Sequence, residues 1–599
     1  MCGISGIVYK KNIKINPDEI KRINRLVDHR GPDGEGYYFG DNFSLGHRRL
    51  SIFDLSEKAH QPMAFKDKYQ IIFNGAIYNY LELKNQLKDL GYHFTSKSDT
   101  EVILASYDYW GEQCVDMLNG MWAFTIFNKS KNILFCSRDR FGIKPFYFSE
   151  TDERFIFGSE IKQILSFVDS KLNKQILVDY LCSGYEDHNN ETFFKNIYKL
   201  EQSHNLIYDL SSHNFEIKKY YDLIIDQEIE SYSQKDAFIA YKNALSKSLE
   251  LRNRSDVKLG TCLSGGIDSS IIAAKSSMKY DSIDQFNAIN AKSTEPKIDE
   301  SSFAKIVSNK FNLKLSMVQP TYTDFIDSVD DLVYKMDEPF GTPSNFMQYY
   351  VFKKAKEIGC KVMLDGQGAD ETMLGYERYI PSILLNKGNY FINLLRSKSR
   401  LSKFKLLLYT IYFKNAFIKN FIIAIRYRFL KKEALNRVNR SLLKNFAKSY
   451  NNIKEMQIKE IMSLQLPHLL KYEDRSSMAN SIEARVPFID HNVVEIAISM
   501  NDDFKIKDGK TKYFLRLILD ELGLPEISQR TDKIGFWAPS NKWLSKFSKE
   551  IIDEIKNSKI VNIFCDTDKI EKKYYKINDN FKWKLYNIAK WEKLFKVKV

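Results

Sequence analysis

The chain has 599 residues, 44% of them hydrophobic and 28% charged, and carries a formal net charge of +14. That length exceeds what one hydrophobic core organises and implies two or three domains of ordinary globular composition. The charge does not make the whole chain a nucleic-acid binder, because it is local: residues 387–448 hold sixteen Lys or Arg against a single acid, Glu433, and the remainder is near neutral.

Residues 1–205 are rich in short β-type runs, among them GISGIVY, YQIIFNGAIYN, MWAFTIFN and RFIFGSE, with helical segments at 79–90 and 101–109 between them. This texture predicts an α+β layered domain. A polar stretch over 206–235 reads as a linker. From 236 to 599 strands and helices alternate, with strands expected at 257–263, 284–290, 314–320 and 361–365. Such alternation predicts a doubly wound parallel α/β sheet. The basic stretch at about 385–450 reads as a helical insert, with Phe413, Phe417, Phe421 and Ile425 at helical spacing. An added helical layer with a solvated lysine face accounts for it better than contact with an anionic membrane surface. Near the end, Trp583, Ile588, Trp591 and Phe595 share one helical face and are expected in the core.

The 7 cysteines are scattered and form no Cys-x-x-Cys pair, so neither a disulfide framework nor a zinc site is indicated. With no signal-peptide pattern and no apolar run of ~18 residues, a cytoplasmic protein without an integral membrane segment is expected.

Cys2 directly follows the initiator methionine. Removal of that methionine would put a free α-amine, of pKa near ~8, on the same residue as the thiol, where it can act as the general base for its own nucleophile. FNGAIYN supplies Asn74 and the Gly75 backbone N–H, a donor pair suited to an oxyanion. HRRLSI supplies Arg49, whose guanidinium can fork onto a carboxylate, and SKSDTEVI supplies Asp99, which can hold an ammonium. This set, with RDRFGIKPFYF and GSEIK, resembles the glutaminase domain of class II glutamine amidotransferases, an N-terminal-nucleophile hydrolase with an αββα sandwich. The resemblance implies that Cys2 releases ammonia from glutamine, that Asn74 and Gly75 form the oxyanion hole, and that Arg49, Asn74, Gly75 and Asp99 bind the glutamine. Ala76 departs from it, standing where the asparagine-synthetase branch usually has Glu, and weaker glutamine binding is expected.

CLSGGIDSS, residues 262–270, follows an apolar strand and opens a helix. Gly265 and Gly266 let backbone N–H groups approach an anion, Ser264 and Ser269 add hydroxyls, and the helix N-terminus adds a favourable dipole. The pattern resembles the pyrophosphate loop of ATP-pyrophosphatases and lacks the Gly-Lys-Ser/Thr of a Walker loop. Leu263 and Ile289 at strand ends, and Asp365 and Gly366 after the strand at 361–365, complete the expected ATP site. Asp268 and Asp370 are the natural magnesium pair, since magnesium takes one or two carboxylates together with substrate phosphates. Lys533 lies in an Arg-x-x-Lys-x-Gly-Phe pattern, and the resemblance gives it charge stabilisation during adenylate formation and breakdown.

Together the halves resemble the glutamine-hydrolysing asparagine synthetase family. The resemblance implies amidation of aspartate through β-aspartyl-AMP, with glutamine, magnesium-ATP and aspartate as small-molecule partners and a homodimer left open. Amidation of another carboxylate, such as a uronic acid or a peptide side chain, uses the same motifs, and a non-catalytic scaffold is disfavoured by the complete set. The departure that bears on the acceptor is VMLDGQGADE (362–371), where Gln367 stands in place of the usual Glu and Asp365 in place of the usual Ser.

Overall fold

The computed structural model describes all residues except 1, 11–12, 281–284, 387–388, 398, 400, 416, 419–427 and 532–536, together with the side chain of Arg396. Two 6-stranded sheets, antiparallel at every pairing, make up the first part of the chain. One is centred on β1 (Gly3–Tyr9) and β2 (Phe43–Arg49), the other on β3 (Tyr69–Ile77) and β4 (Gly120–Asn128). Alternating residues of each sheet point inward, so Ile4, Val8, Leu45, Ile72, Leu134 and Phe157 form a closed apolar layer between them. The helix Pro17–Arg25 packs on the outside of the first sheet, and Tyr80–Asp89 and α1 (Asp99–Trp110) pack on the outside of the second. The expected αββα sandwich is therefore present.

The second sheet extends further than the sequence pattern suggests. His204–Asp209 and Phe215–Lys219 are its last two strands, although they fall within the stretch expected as a linker. The reason is that Phe215–Lys219 is an edge strand, mostly exposed, whose polar face mimics loop composition.

The later sheet has 5 strands, all parallel: β5 (Leu259–Cys262), β6 (Phe286–Ala291), β7 (Lys314–Val318), β8 (Val362–Leu364) and β9 (Glu483–Arg485), in the order β7-β6-β5-β8-β9. The first four match the expected strands. β9 has only 3 residues, two of them charged, and its periodicity gives no strand signal. The helices that position functional groups here are α2 (Ile267–Ser277), α3 (Asn345–Glu357), α4 (Leu466–Met478) and α5 (Tyr513–Glu521).

One apolar cluster runs without interruption from Phe73, Tyr78 and Trp122 of the sandwich to Leu259, Leu364, Val486 and Phe514 around the parallel sheet. A second joins Tyr147 and Tyr180 to Phe340 and to the C-terminal helix Asp579–Phe595. Trp583, Ile588 and Trp591 are buried there and Phe595 is partly so, as their spacing predicts. In the basic insert, short helices include Lys403–Lys414 and Arg440–Ser449, and the Phe413 ring stacks on Tyr450 at 5.1 Å. Phe417 is exposed, and Phe421 and Ile425 lie outside the described residues. Among the described residues no helix is long and apolar enough to cross a membrane.

Candidate active site

Cys2 is buried at the start of β1, which leaves its main chain to be fixed by neighbours. Its N–H donates to Asn74 Oδ1 at 3.0 Å and its carbonyl accepts from Arg30 Nε at 3.1 Å. Burial pushes the thiol pKa up, against the opposing pull of the positive chain terminus and Arg49. With its Oδ1 engaged, Asn74 directs Nδ2 elsewhere, and that donor is buried with no hydrogen-bond partner among the described residues. The next residue is Gly75, opposite Trp122 on β4, and a Cβ there would lie 2.1 Å from the Met121 carbonyl oxygen. Only glycine lets β3 and β4 approach this closely.

Arg49, at the end of β2, is held by two carbonyls, Ser56 O at 3.1 Å from Nη1 and Asp54 O at 2.5 Å from Nη2. Asp99 opens α1 and accepts from Ile77 N at 2.9 Å, which ties it to the same strand as Asn74. Burial raises its pKa to about 7, and among the described residues it has no ion-pair partner. A cation fixed by carbonyls and an acid with no cation partner among the described residues thus lie around the Cys2 thiol and the Asn74 amide donor. Ala76 is buried and adds no polar group.

At the other site β5 runs into the loop 263–266 and then α2. Leu263 is clamped from both sides: its N–H donates to Ile289 O at 2.8 Å and its carbonyl accepts from Asn290 Nδ2 at 2.8 Å. Gly265 adopts a φ of +84°, and a Cβ on it would stand 2.6 Å from Ala304 N. The Ser264 and Ser269 hydroxyls are 3.0 Å apart, and no side chain caps the N-terminus of α2. Gly366 packs where a Cβ would be 3.0 Å from Asp268 Cβ, which brings the β8 loop against the β5 loop. Asp365 Oδ1 accepts from Gln367 N at 3.2 Å. An opening of about 280 Å³ beside the loop is lined by Ser264, Asn290, Ala291, Ser293, Met347 and Trp537, among others.

Asp268 and Asp370 converge, and the group between them is Lys512, whose ammonium is 2.5 Å from Asp268 Oδ2 and 2.8 Å from Asp370 Oδ1. Burial works against the Lys512 charge, but the two carboxylates more than offset it and raise its pKa. Lys512 precedes α5 at a φ of +56°. Gly375 makes room for the trio, since a Cβ there would lie 1.9 Å from Asp370 Oδ1 and 2.3 Å from Lys512 Cε. Two carboxylates aimed at one cationic point are a donor set that fits a magnesium ion shared with phosphates. Lys533 lies outside the described residues. Its neighbour Arg530 donates to Gly265 O at 3.1 Å and stacks on Phe303 at 3.7 Å.

Arg530 is the arginine that opens the Arg-x-x-Lys-x-Gly-Phe pattern, whereas Lys512 does not stand out by sequence, because a lysine-rich chain offers too many equivalents. The same holds for α4, which joins the sites. Asp474 on α4 takes Arg30 through both terminal nitrogens (2.9 and 3.1 Å) and Lys144 at 3.3 Å. Arg475 pairs with Glu160 at 2.9 Å and Asp337 at 3.0 Å. Arg30 therefore touches both the Cys2 carbonyl and α4. In SIEARVPFID, residues 481–490, Asp490 pairs with Arg252 at 2.7 Å and accepts from Asn119 at 2.9 Å, while Arg485 pairs with Glu483 at 2.6 Å and lies over the Phe53 and Tyr78 rings. These residues brace the interface between the two halves.

Comparison with known proteins agrees with this arrangement. Residues 1–221 match the family described as glutamine amidotransferase domain, and residues 240–595 match asparagine synthase. Asparagine synthetase [glutamine-hydrolyzing] 1 of Bacillus subtilis is 31% identical over 584 residues, covering 93% of this chain and 90% of that protein. The putative asparagine synthetase [glutamine-hydrolyzing] 2 of Methanocaldococcus jannaschii is 38% identical over 403 residues, 63% of this chain and 76% of the other. With both family models matched in succession and a relative 31% identical over 93% of this chain, the chain belongs to the family of glutamine-hydrolysing asparagine synthetases.

Proposed function

We propose that the chain makes asparagine from aspartate, glutamine and ATP through β-aspartyl-AMP. The observation that carries this reading is the pairing of two chemically distinct sites by one buried helix, α4, whose Asp474 binds the Arg30 that holds the Cys2 carbonyl. A glutaminase alone needs no such link to a nucleotide loop.

In this reading Arg49 takes the α-carboxylate of glutamine and Asp99 its α-ammonium. Cys2 attacks the side-chain amide, with its own amine as base once Met1 is removed, and the Asn74 Nδ2 and Gly75 N–H receive the developing oxyanion. The acceptor carboxylate displaces pyrophosphate from the α-phosphorus of ATP, whose phosphates lie on residues 264–269. Asp268 and Asp370 would hold magnesium, which supplies neutralising charge to the phosphates. Lys512, already between the two aspartates, then neutralises phosphate charge as well, and Lys533 is assigned the same duty at the adenylate. Ammonia must reach the adenylate unprotonated, because ammonium has no lone pair, so an internal passage along α4 is part of the proposal.

The test is to supply glutamine, magnesium-ATP and aspartate and to measure asparagine, glutamate, AMP and pyrophosphate in equal amounts. Glutaminase activity with no aspartate-dependent pyrophosphate would rule out aspartate as the acceptor.

A further inference from the structure

α4 places a second acid, Glu473, on the side away from the Arg30 cluster. It is 3% exposed and lies against the end of the nucleotide sheet. One carboxylate oxygen, Oε2, accepts from the side-chain amide of Gln348 on α3. The other, Oε1, is buried with no hydrogen-bond partner among the described residues. The neighbours are informative. Asp365 repels the Glu473 charge, and Lys144, a cation that favours it, makes its own contact with Asp474. The Gln348 and Gln367 amides favour its charged form, and the Cys262 thiol completes the surroundings of the two acids. Asp365 is partly buried, its N–H fixed to Arg485 O at 2.9 Å, and it faces the Cys262 thiol, the Gln367 and Gly366 N–H groups and the field of Asp268.

Two acids acting on one another with no dedicated counter-ion among the described residues are costly, and a purely structural role would be met better by amides. The Glu473 pKa is raised well above the ordinary range by burial and then by Asp365, so its ionised carboxylate is a stronger base than an exposed one. Its position matches that chemistry. Asp365 begins the loop that carries Gln367 and Asp370, and Gln348 follows Met347, which lines the opening beside Ser264. On the other side the next residue of α4 is Asp474, in contact with the Arg30 that holds Cys2. Glu473 thus sits between the group that releases nitrogen and the site that consumes it.

We propose that Glu473, backed by Asp365, is the proton acceptor for the nitrogen nucleophile at the synthetase site. The inference rests on the adenylate reading above. Ammonia adds its lone pair to the acyl carbon of the adenylate, the C–N bond forms, and the carbonyl pair moves to oxygen. Glu473 takes one N–H proton from the resulting ammonium centre. The carbonyl re-forms, the acyl C–O bond breaks, and its electron pair leaves with AMP. The proton on Glu473 then passes to the AMP phosphate or to water, leaving amide, AMP and one proton. Gln367 has no proton-accepting group of this kind, and its amide, adjacent to Glu473, serves to orient the carboxylate.

The experiment uses the full chain with magnesium-ATP, aspartate and ammonium, and reads pyrophosphate and asparagine separately. Glu473→Gln is expected to keep glutaminase activity and aspartate-dependent pyrophosphate release while losing about 100-fold in asparagine formation, the usual weight of a general base. The accumulated adenylate should appear as pyrophosphate without amide. Glu473→Asp, which withdraws the carboxylate by one methylene, should lose less. Adding Gln367→Glu to Glu473→Gln returns a carboxylate to the neighbouring position and should restore part of the amide yield. Wild-type asparagine yield from Glu473→Gln would overturn the proposal. So would loss of pyrophosphate together with amide, which would place the group before the nitrogen step, or equal losses from the Gln and Asp variants. Failure of the underlying reading looks different: the wild type itself would release no aspartate-dependent pyrophosphate, and both proposals would fall.

Discussion

Asp99 carries a pH prediction. Burial raises its pKa to about 7, so its contribution to stability is present below its ordinary value near ~4 and is lost as pH rises through about 7. A bound α-ammonium compensates the carboxylate that burial penalises. The glutamine KM should therefore fall as pH rises from 6 to 8, each binding event releasing a proton below pH 7. Asp99→Asn should raise KM by at least ~10-fold and flatten that profile, an isosteric loss of one charged contact. Steady-state glutaminase assays across pH read both effects. Lys512→Met tests the other site: it leaves Asp268 and Asp370 facing each other and should remove aspartate-dependent pyrophosphate release while Cys2 still produces glutamate. At this scale the convergence of Cys2, Asn74 and Gly75 and the turn of the 263–266 loop were legible in the sequence, because glycine, Cys2 and SGG carry local constraints. Lys512 and Glu473 could not, since their meaning comes from partners more than a hundred residues away.

α4 is the element on which both sites depend. Its buried residues include Tyr472, Glu473, Asp474 and Arg475, a polar run whose charges are satisfied only by groups from other parts of the fold. Asp474→Asn removes the shared partner of Arg30 and Lys144 and should cost about 3–5 kcal/mol, the typical penalty for breaking a buried ion pair. Denaturant unfolding measures that loss, and the Arg30 contact with Cys2 ties it to a drop in glutamine-dependent over ammonia-dependent amidation. The sequence pattern marks α4 as helical but cannot say that its charged residues are interior, because charge in a helix ordinarily signals solvent. β9 carries no strand signal for a related reason: a strand of 3 residues, Glu-Ala-Arg, shows no alternation of apolar and polar positions.

At the scale of the whole molecule, the sandwich and the parallel sheet share one apolar core, so the halves should unfold together in a single transition. The two-site arrangement makes a functional prediction: Cys2→Ala should abolish glutamine-dependent asparagine formation and spare formation from ammonium. Equal loss of both would contradict separate nitrogen-releasing and nitrogen-using sites. The two layered architectures were readable from strand texture and loop signatures, whereas the continuous core between them was not. Aliphatic and aromatic positions in each half look alike whether they face their own sheet or the neighbouring one.

The ammonium of Lys512, lodged between Asp268 and Asp370, has one more consequence. The fold supplies its own counter-ion at the point where, in the proposed reading, the two carboxylates would draw in a divalent cation. On that reading metal entering alone would have to displace a buried lysine, while metal arriving on triphosphate would give that lysine a new anion to hold. Loading should therefore be ordered, with cation and nucleotide entering as one complex. Calorimetric titration with magnesium chloride should give no binding heat until a nucleotide is present, and a chelator should leave the melting temperature of the nucleotide-free chain unchanged.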